Sequence, residues 1–470
     1  MALTAAGIGS GLNVESMITQ LVAVQKQSLQ PLQQKATVLD SKISTFGQLK
    51  SLMSQLSDAA KALAAPDAWR VSSVASSGTA VAATVTGTGA LSGAAEVTVS
   101  QLARAQTVAS GVMDAGTRFD AGGSLTISMG RWSENASQFT GSGTSVTINI
   151  AQAATLEDVV SSINGQNSGV VASVLKDAQG ERLVLRSRET GADAGFSVST
   201  SGDPGLSQLA FNGTPASGAT VQMAQNAKAV VNGIDVESTT NELKQTLPGL
   251  SLTLNQITSA PVTVSVSSDT EALKKKLQTF VDAYNALNDL MVNSTKYDAE
   301  SKKGGVLQGD STTVGMTNGL RSVLAGTVDG ATLGRLSDMG LQIEKGGKLS
   351  FGSSASDKAK FEAALKNTEA LGQLFGAAGV EGQSTTQGLA VRMQEFTRQL
   401  LEFDGTIDLK NKGLQELKKS NGKAQEKVNE QAVALEKRLR TQYASLDSKM
   451  ANLSKLSAYM SQQVAQWNKG

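Results

Sequence analysis

The stretch Val428–Trp467, VNEQAVALEKRLRTQYASLDSKMANLSKLSAYMSQQVAQW, decides how the rest of the chain is read. Val428, Ala432, Leu435, Leu439, Tyr443, Leu446, Met450, Leu453, Ser457, Met460, Val464 and Trp467 fall mostly on alternating steps of four and three. That spacing is a coiled-coil seam. The four-then-four step from Leu435 through Leu439 to Tyr443 is a stutter, which locally unwinds a left-handed supercoil. From Leu409 onward the tail carries an excess of about seven positive charges, as a solvated helical face does. A narrow seam of this length is stable only against another helix. The sequence therefore demands a helical partner.

The other end supplies one. From Val14 to Leu63, apolar residues recur at three and four spacings: Val14, Met17, Ile18, Leu21, Val24, Leu32, Val38, Leu39, Ile43, Phe46, Leu49, Met53, Leu56 and Leu63. Pro31 is incompatible with one continuous helix and is placed at the first position of a second, where its missing N–H costs nothing. Pro66 closes the segment. A further helical block runs from about Thr270, through EALKKKLQTFVDAYNALNDLM, to FEAALKNTEALGQLF.

Between these ends the period changes to two. Val97/Val99, Leu125/Ile127/Met129, Val146/Ile148/Ile150, Leu183/Leu185, Leu250/Leu252/Leu254 and Val262/Val264/Val266 alternate with polar residues, as half-buried antiparallel strands do. DAQGE (Asp177–Glu181) reads as a turn between two strands. Thr155, with Asp158 three residues on, marks the capping box of one short helix carrying Leu156, Val159, Val160 and Ile163. The expected fold class is α+β: a multidomain, elongated chain whose N- and C-terminal coiled-coil-like helices pair as a leg, with β-rich head domains inserted between them. The expected divisions are 1–72 for the N-terminal leg, 73–105 plus 225–267 for a first head domain, 106–224 for a second, and 268–470 for the C-terminal leg. If the two ends pair, the middle is displayed as a distal head, which suits a subunit of an axial assembly.

Composition narrows the chemistry. The 470 residues suffice for two to four domains, and 42 basic against 41 acidic residues leave no global field favouring nucleic acid or an acidic membrane. Cys and His are both absent, which removes disulfides, thiolate metal sites, the cysteine nucleophile and the usual neutral-pH base. Aromatics are 4%, which suits modest cores in elongated shapes. No run approaches the roughly 18 apolar residues of a membrane span. The N-terminus also lacks the basic and apolar regions of a cleaved secretory signal. On composition alone the chain reads as soluble and cytoplasmic.

The individual motifs weaken on inspection. Gly7, Gly9 and Gly11 of GIGSGLN have no preceding strand, no acidic residue some twenty positions later and no Gly-Lys-Ser/Thr, so they are a flexible lead-in rather than a phosphate loop. Asn13 is the expected cap of the helix beginning near Val14, with Glu15 favouring its dipole. Lys274–Lys276 read as a solvated helix face, and Asp298, Glu300 and Asp310 lack calcium-loop spacing. Trp132, in RWSENASQF, reads as packing under its loop, with a contact on the head surface as the other reading. No catalytic, cofactor-binding or metal site is expected.

Taken in order, GIGSGLNVESMITQLVAVQKQSLQPL, TLEDVVSSINGQNSGVVASVLKDAQGERLVLRSRETGA, VNGIDVESTTNELKQTLPGLSLTL, FVDAYNALNDLM, GGVLQGDSTTVGMTNGLRSVL, LSDMGLQIEKGGKLSF and LEKRLRTQYASLDSKMANLSKLSAYMSQQV resemble the bacterial flagellar filament cap family, also called hook-associated protein 2. Family members often have Asp where this chain has Asn13, a change that preserves the capping chemistry. The resemblance implies export through the flagellar type III channel without a cleavable signal, and an extracellular place at the filament tip. It implies a ring-like homo-oligomer that helps exported flagellin fold and insert and prevents its loss. Its other implied partners are hook–filament junction proteins and a cytoplasmic export chaperone at the C-terminal helix. No nucleic acid and no membrane insertion are expected. The helix-pairing residues are expected to be Ile18 and Leu21 at one end. At the other they are Leu435, Leu439, Leu446, Met450 and Leu453, packing on that N-terminal seam or on filament subunits. Alternative readings are a hook–filament junction protein or flagellin, a secreted adhesin with a flagellar export tail, and an enzyme using paired carboxylates, for which no constellation is present.

Overall fold

The computed structural model describes residues 13–467 except 88, 89, 91, 216, 217, 301, 381 and 382. The glycines of the opening loop lie outside the described residues. The chain divides into two compact units, one of 1–69 with 271–470 and one of 70–270.

The first unit is built on helices α1 (Val14–Lys26), α2 (Leu29–Ala64), α4 (Thr270–Thr295, its first residue shared with the other unit), α5 (Ser311–Ala325), α6 (Ala355–Lys366), α7 (Thr368–Gly376), α8 (Leu389–Leu401) and α9 (Thr406–Trp467). Along α2, Phe46, Leu49, Met53, Leu56, Ala60 and Leu63 are buried at steps of three and four, and this face packs against α7, α8 and α9. The periodicity read from the sequence thus becomes the wall of a core. Trp69 stacks on Phe375 at 5.2 Å between centroids, Phe375 meets Phe280 edge-on at 6.4 Å, and the Trp69 Nε1–H donates to the Leu63 carbonyl at 3.0 Å. A hairpin of Leu341–Ile343 and Leu349–Phe351 is held on α4, where the Tyr284 hydroxyl donates to the Gly347 carbonyl at 2.8 Å.

Pro31 stands at the third position of α2, not the first, because the helix begins at Leu29. The correction follows from the unpaired N–H groups of a helix's first turn, among which a residue with no N–H is accommodated. The Gln27 carbonyl, four residues back, instead accepts the Gln30 N–H at 3.2 Å.

The second unit is antiparallel β around two apolar cores. The first core lies between a five-stranded sheet, in the order Ser72–Ser76, Val262–Ser268, Gly93–Gln101, Ala227–Val231, Ile234–Ser238, and a three-stranded sheet of Glu242–Leu247, Leu250–Leu254 and Val81–Val85. Val97, Val99, Leu252, Leu254 and Val264 fill it. The second core joins strands Thr220–Gln222, Thr107–Ala109, Gly180–Ser187 and Val170–Asp177 to Gly195–Gly202, Gly123–Trp132 and Phe139–Ile150, with α3 (Leu156–Asn164) packed among them. At the DAQGE turn, the Asp177 carboxylate accepts the N–H groups of Gln179 and Gly180, closing the hairpin. Trp132 packs on Phe139 and Phe211 and donates its indole N–H to the Phe196 carbonyl at 3.0 Å, so it is a half-buried packing residue.

At α3 the Thr155 hydroxyl accepts the Asp158 N–H at 3.2 Å, and the Asp158 carboxylate accepts the Thr155 N–H at 2.9 Å. The Thr155 N–H, together with the Thr155 hydroxyl donating at 2.8 Å, holds the Asp158 carboxyl below its usual range. Removing this cap with Thr155→Ala is expected to lower the stability of the second unit by about 1 kcal/mol. Urea unfolding followed through Trp132 checks it, with Thr155→Ser staying close to the parent.

Candidate assembly surface

The two ends of the chain meet as an antiparallel helix pair. Residue numbers fall along α9 as they rise along α1 and α2. Glu15 meets Arg440, Gln25 meets Gln431, Leu32 meets Asn421, and Asp40 meets Lys418. Asn13 accepts the Ser16 N–H at 3.1 Å and so caps α1. Val14, Ile18 and Val22 then recur every fourth residue on one face and pack with Ala432, Leu439 and Tyr443 of α9. Arg440 grips the Glu15 carboxylate with two N–H donors, at 2.5 and 2.8 Å, and reaches Glu436 at 3.0 Å. Lower down, Asn421 is buried and its amide donates to the Leu32 carbonyl at 2.9 Å. A buried Asn in a helical seam favours one register over others.

This geometry sorts the expected seam residues. Ile18 is buried and Leu439 packs against the α1 cluster, while Leu435 is half-buried. Leu21 does not face α9: it is 44% exposed, because at three residues past Ile18 it is carried off the face that Val22, at four, continues. Leu446, Met450 and Leu453 also do not pack on Ile18 or Leu21. They lie beyond Tyr443, where α9 runs past the described start of α1, and Leu446 and Leu453 are 44% and 59% exposed. Sequence reasoning missed Val22, whose signal was its i+4 spacing from Ile18. It also missed Arg440, which nothing local distinguishes from the other cations of the tail.

The Arg440 hydrogen bonds hold the Glu15 carboxyl below its ordinary value of 4.5. A lowered folded-state pKa means the contact supports α1 docking at and above the ordinary carboxylate range. That support fades as pH falls through the depressed value. Hydrogen-exchange protection of α1 amides is therefore expected to drop in acid below pH 4.5. In Glu15→Gln, protection is expected to start lower and lose this dependence.

Elsewhere in this unit Asp310 caps α5 and pairs with Lys410 at 2.6 Å, a structural use of this carboxylate. Lys276 donates to the Ala68 carbonyl at 2.7 Å. Among the described residues no cluster of three or more acidic, His or Cys side chains could hold a metal ion, and no helix is long and apolar enough to cross a membrane.

A chain whose two ends pair as helices, with a β-rich unit inserted between them in sequence, is a multidomain α+β protein that leaves apolar residues at seam spacing exposed on α9. Known proteins place it further. The family described as flagellar hook-associated protein 2, N-terminus, matches residues 10–106, and its C-terminal counterpart matches residues 224–455. The flagellin hook IN motif matches residues 137–189, which span α3 and the hairpin after it. Flagellar hook-associated protein 2 of Escherichia coli K12 is 31% identical over 98% of both chains, and that of Salmonella typhimurium LT2 is 30% identical over 100% of this chain and 99% of its own. The crystal structure of the flagellar cap protein FliD D1-D2-D3 domains from Escherichia coli superposes with a TM-score of 0.60 at 30% identity, covering 79% of this chain and 99% of that one. The chain belongs to the flagellar hook-associated protein 2 family.

Proposed function

We propose that this protein caps the distal end of the bacterial flagellar filament as a ring-like homo-oligomer, promoting the folding and insertion of exported flagellin and preventing its loss. The observation that carries the reading is the uncovered seam of α9 from Leu446 onward, in a chain whose relatives are named as cap proteins. The β-rich unit serves as the head plate, with 73–105 plus 225–267 and 106–224 as its two domains, and 1–72 with 268–470 form the leg. Exposed leucines and methionines on α9 supply a helix-to-helix contact in the assembly. The covered part of the pair is small enough to release and rebind as each subunit enters. Hook–filament junction proteins are the neighbours before elongation, and a cytoplasmic export chaperone covers the C-terminal helix before secretion. The protein acts outside the cell, at the filament tip, and has no enzymatic step.

Expression in a cell lacking its cap protein tests this. Restored filament growth supports the reading, and flagellin shed into the medium overturns it. Electron microscopy of the purified protein separates the alternatives: closed rings or plates support a cap, long filaments indicate flagellin, and glycan-binding monomers indicate an adhesin.

A further inference from the structure

Helix α1 carries more apolar surface than α9 covers. At about 100° per residue, Val14, Ile18 and Val22 centre on one direction. Met17, Leu21 and Val24 centre about 90° further round. The first set is buried against α9, and the second is exposed. Its spacing, four then three, is that of a second helix seam. An apolar arc this wide suits a helix with two neighbours, and among the described residues α9 covers the Val14, Ile18 and Val22 side.

The end of α9 has the complementary condition. Its seam continues from Tyr443 through Leu446, Met450, Leu453, the polar Ser457, Met460 and Val464, and the five apolar residues after Tyr443 are all exposed. Charged side chains are few on both stripes. Only Glu15 and Lys26 are charged within α1, and only Asp447, Lys449 and Lys455 between 446 and 464. Neither stripe sets a row of like charges against the other.

We propose that the exposed end of α9 from a second copy of this chain docks along Met17, Leu21 and Val24 of α1, forming a three-helix contact continuous with the α1–α9 interface. The inference rests on the reading of the chain as a homo-oligomer, and it names the surfaces of one contact. Pairing of two α9 ends would cover one stripe and leave Met17, Leu21 and Val24 in water. The α9-on-α1 contact engages both stripes, covering Met17, Leu21 and Val24 and about two turns of α9. It is also heterologous, joining two different patches, which is the interface type that closes into rings of more than two subunits. Leu21, which does not serve the chain's own helix pair, is at the centre of this contact.

The absence of cysteine makes the test direct. Full-length Leu21→Cys and Leu453→Cys variants are prepared separately, mixed, and treated with a short thiol-to-thiol cross-linker. Both sites are exposed, so neither change disturbs folding. The expected result is a cross-linked dimer in the mixture at several times the yield of either variant alone. Equal yield from Leu453→Cys alone shows α9-to-α9 pairing and overturns the proposal, as does the absence of any dimer. The cap reading is scored separately, by filament growth in the capless cell. Growth restored without a cross-link overturns this contact only, and a cross-link without restored growth overturns the cap reading while supporting the contact.

Discussion

Replacing Leu446 and Leu453 together with Asp is expected to abolish filament elongation while both units stay folded. In the isolated chain these side chains are already 44% and 59% exposed, so carboxylates there cost little folding stability. In the proposed assembly each leucine would be buried against another helix, which stabilises such a contact by about 1.5–3 kcal/mol per side chain. Losing two such contacts weakens docking by more than about a hundredfold, before the cost of desolvating two carboxylates is added. The measurement is filament length in a capless cell complemented with the double variant, beside circular dichroism of the purified protein. Filaments of unchanged length would exclude this stretch of α9 from the contact.

The largest expected effect on stability lies in the helical unit. Phe375 is fully buried, stacked on Trp69 and edge-on to Phe280. Phe375→Ala removes a large ring and leaves a cavity bordered by both aromatics, at a cost of about 3–5 kcal/mol. For a unit of this size that lowers its melting temperature on the order of 10 °C. Trp69 and Trp132 belong to different units, so variants that keep one of them as the sole tryptophan report on each unit separately by fluorescence. The Trp69 transition moves down and the Trp132 transition stays. If both moved together, the two units would unfold as one and the division of the chain at 70 and 270 would not be thermodynamic.

Much of the architecture was legible in the residues. Period-two alternation located the strands that fill both β cores, because a half-buried strand must place every second side chain inside. Steps of three and four located α2, α4 and α9 for the equivalent helical reason. Local chemistry also placed the Asn13 cap, the Thr155–Asp158 box and the Asp177 turn, since each involves neighbours within a few residues. Nothing local showed that Trp132 packs on Phe211 or that Asp310 pairs with Lys410, since these partners are far apart in sequence.

The terminal helices divide the two kinds of knowledge most sharply. By itself the sequence determined that both ends are helical, that each carries an apolar seam, and that a seam so narrow requires another helix. Only the tertiary structure decided which residues meet. The antiparallel register, fixed by Glu15 on Arg440 and by Asn421 on Leu32, sets Val14, Ile18 and Val22 against Ala432 to Tyr443. It leaves Leu21 on the outer face and Leu446 to Leu453 beyond the described start of α1. Periodicity specifies a face of a helix, whereas occupancy of that face depends on how far the partner extends and in which register, and those are properties of two segments brought together by the fold.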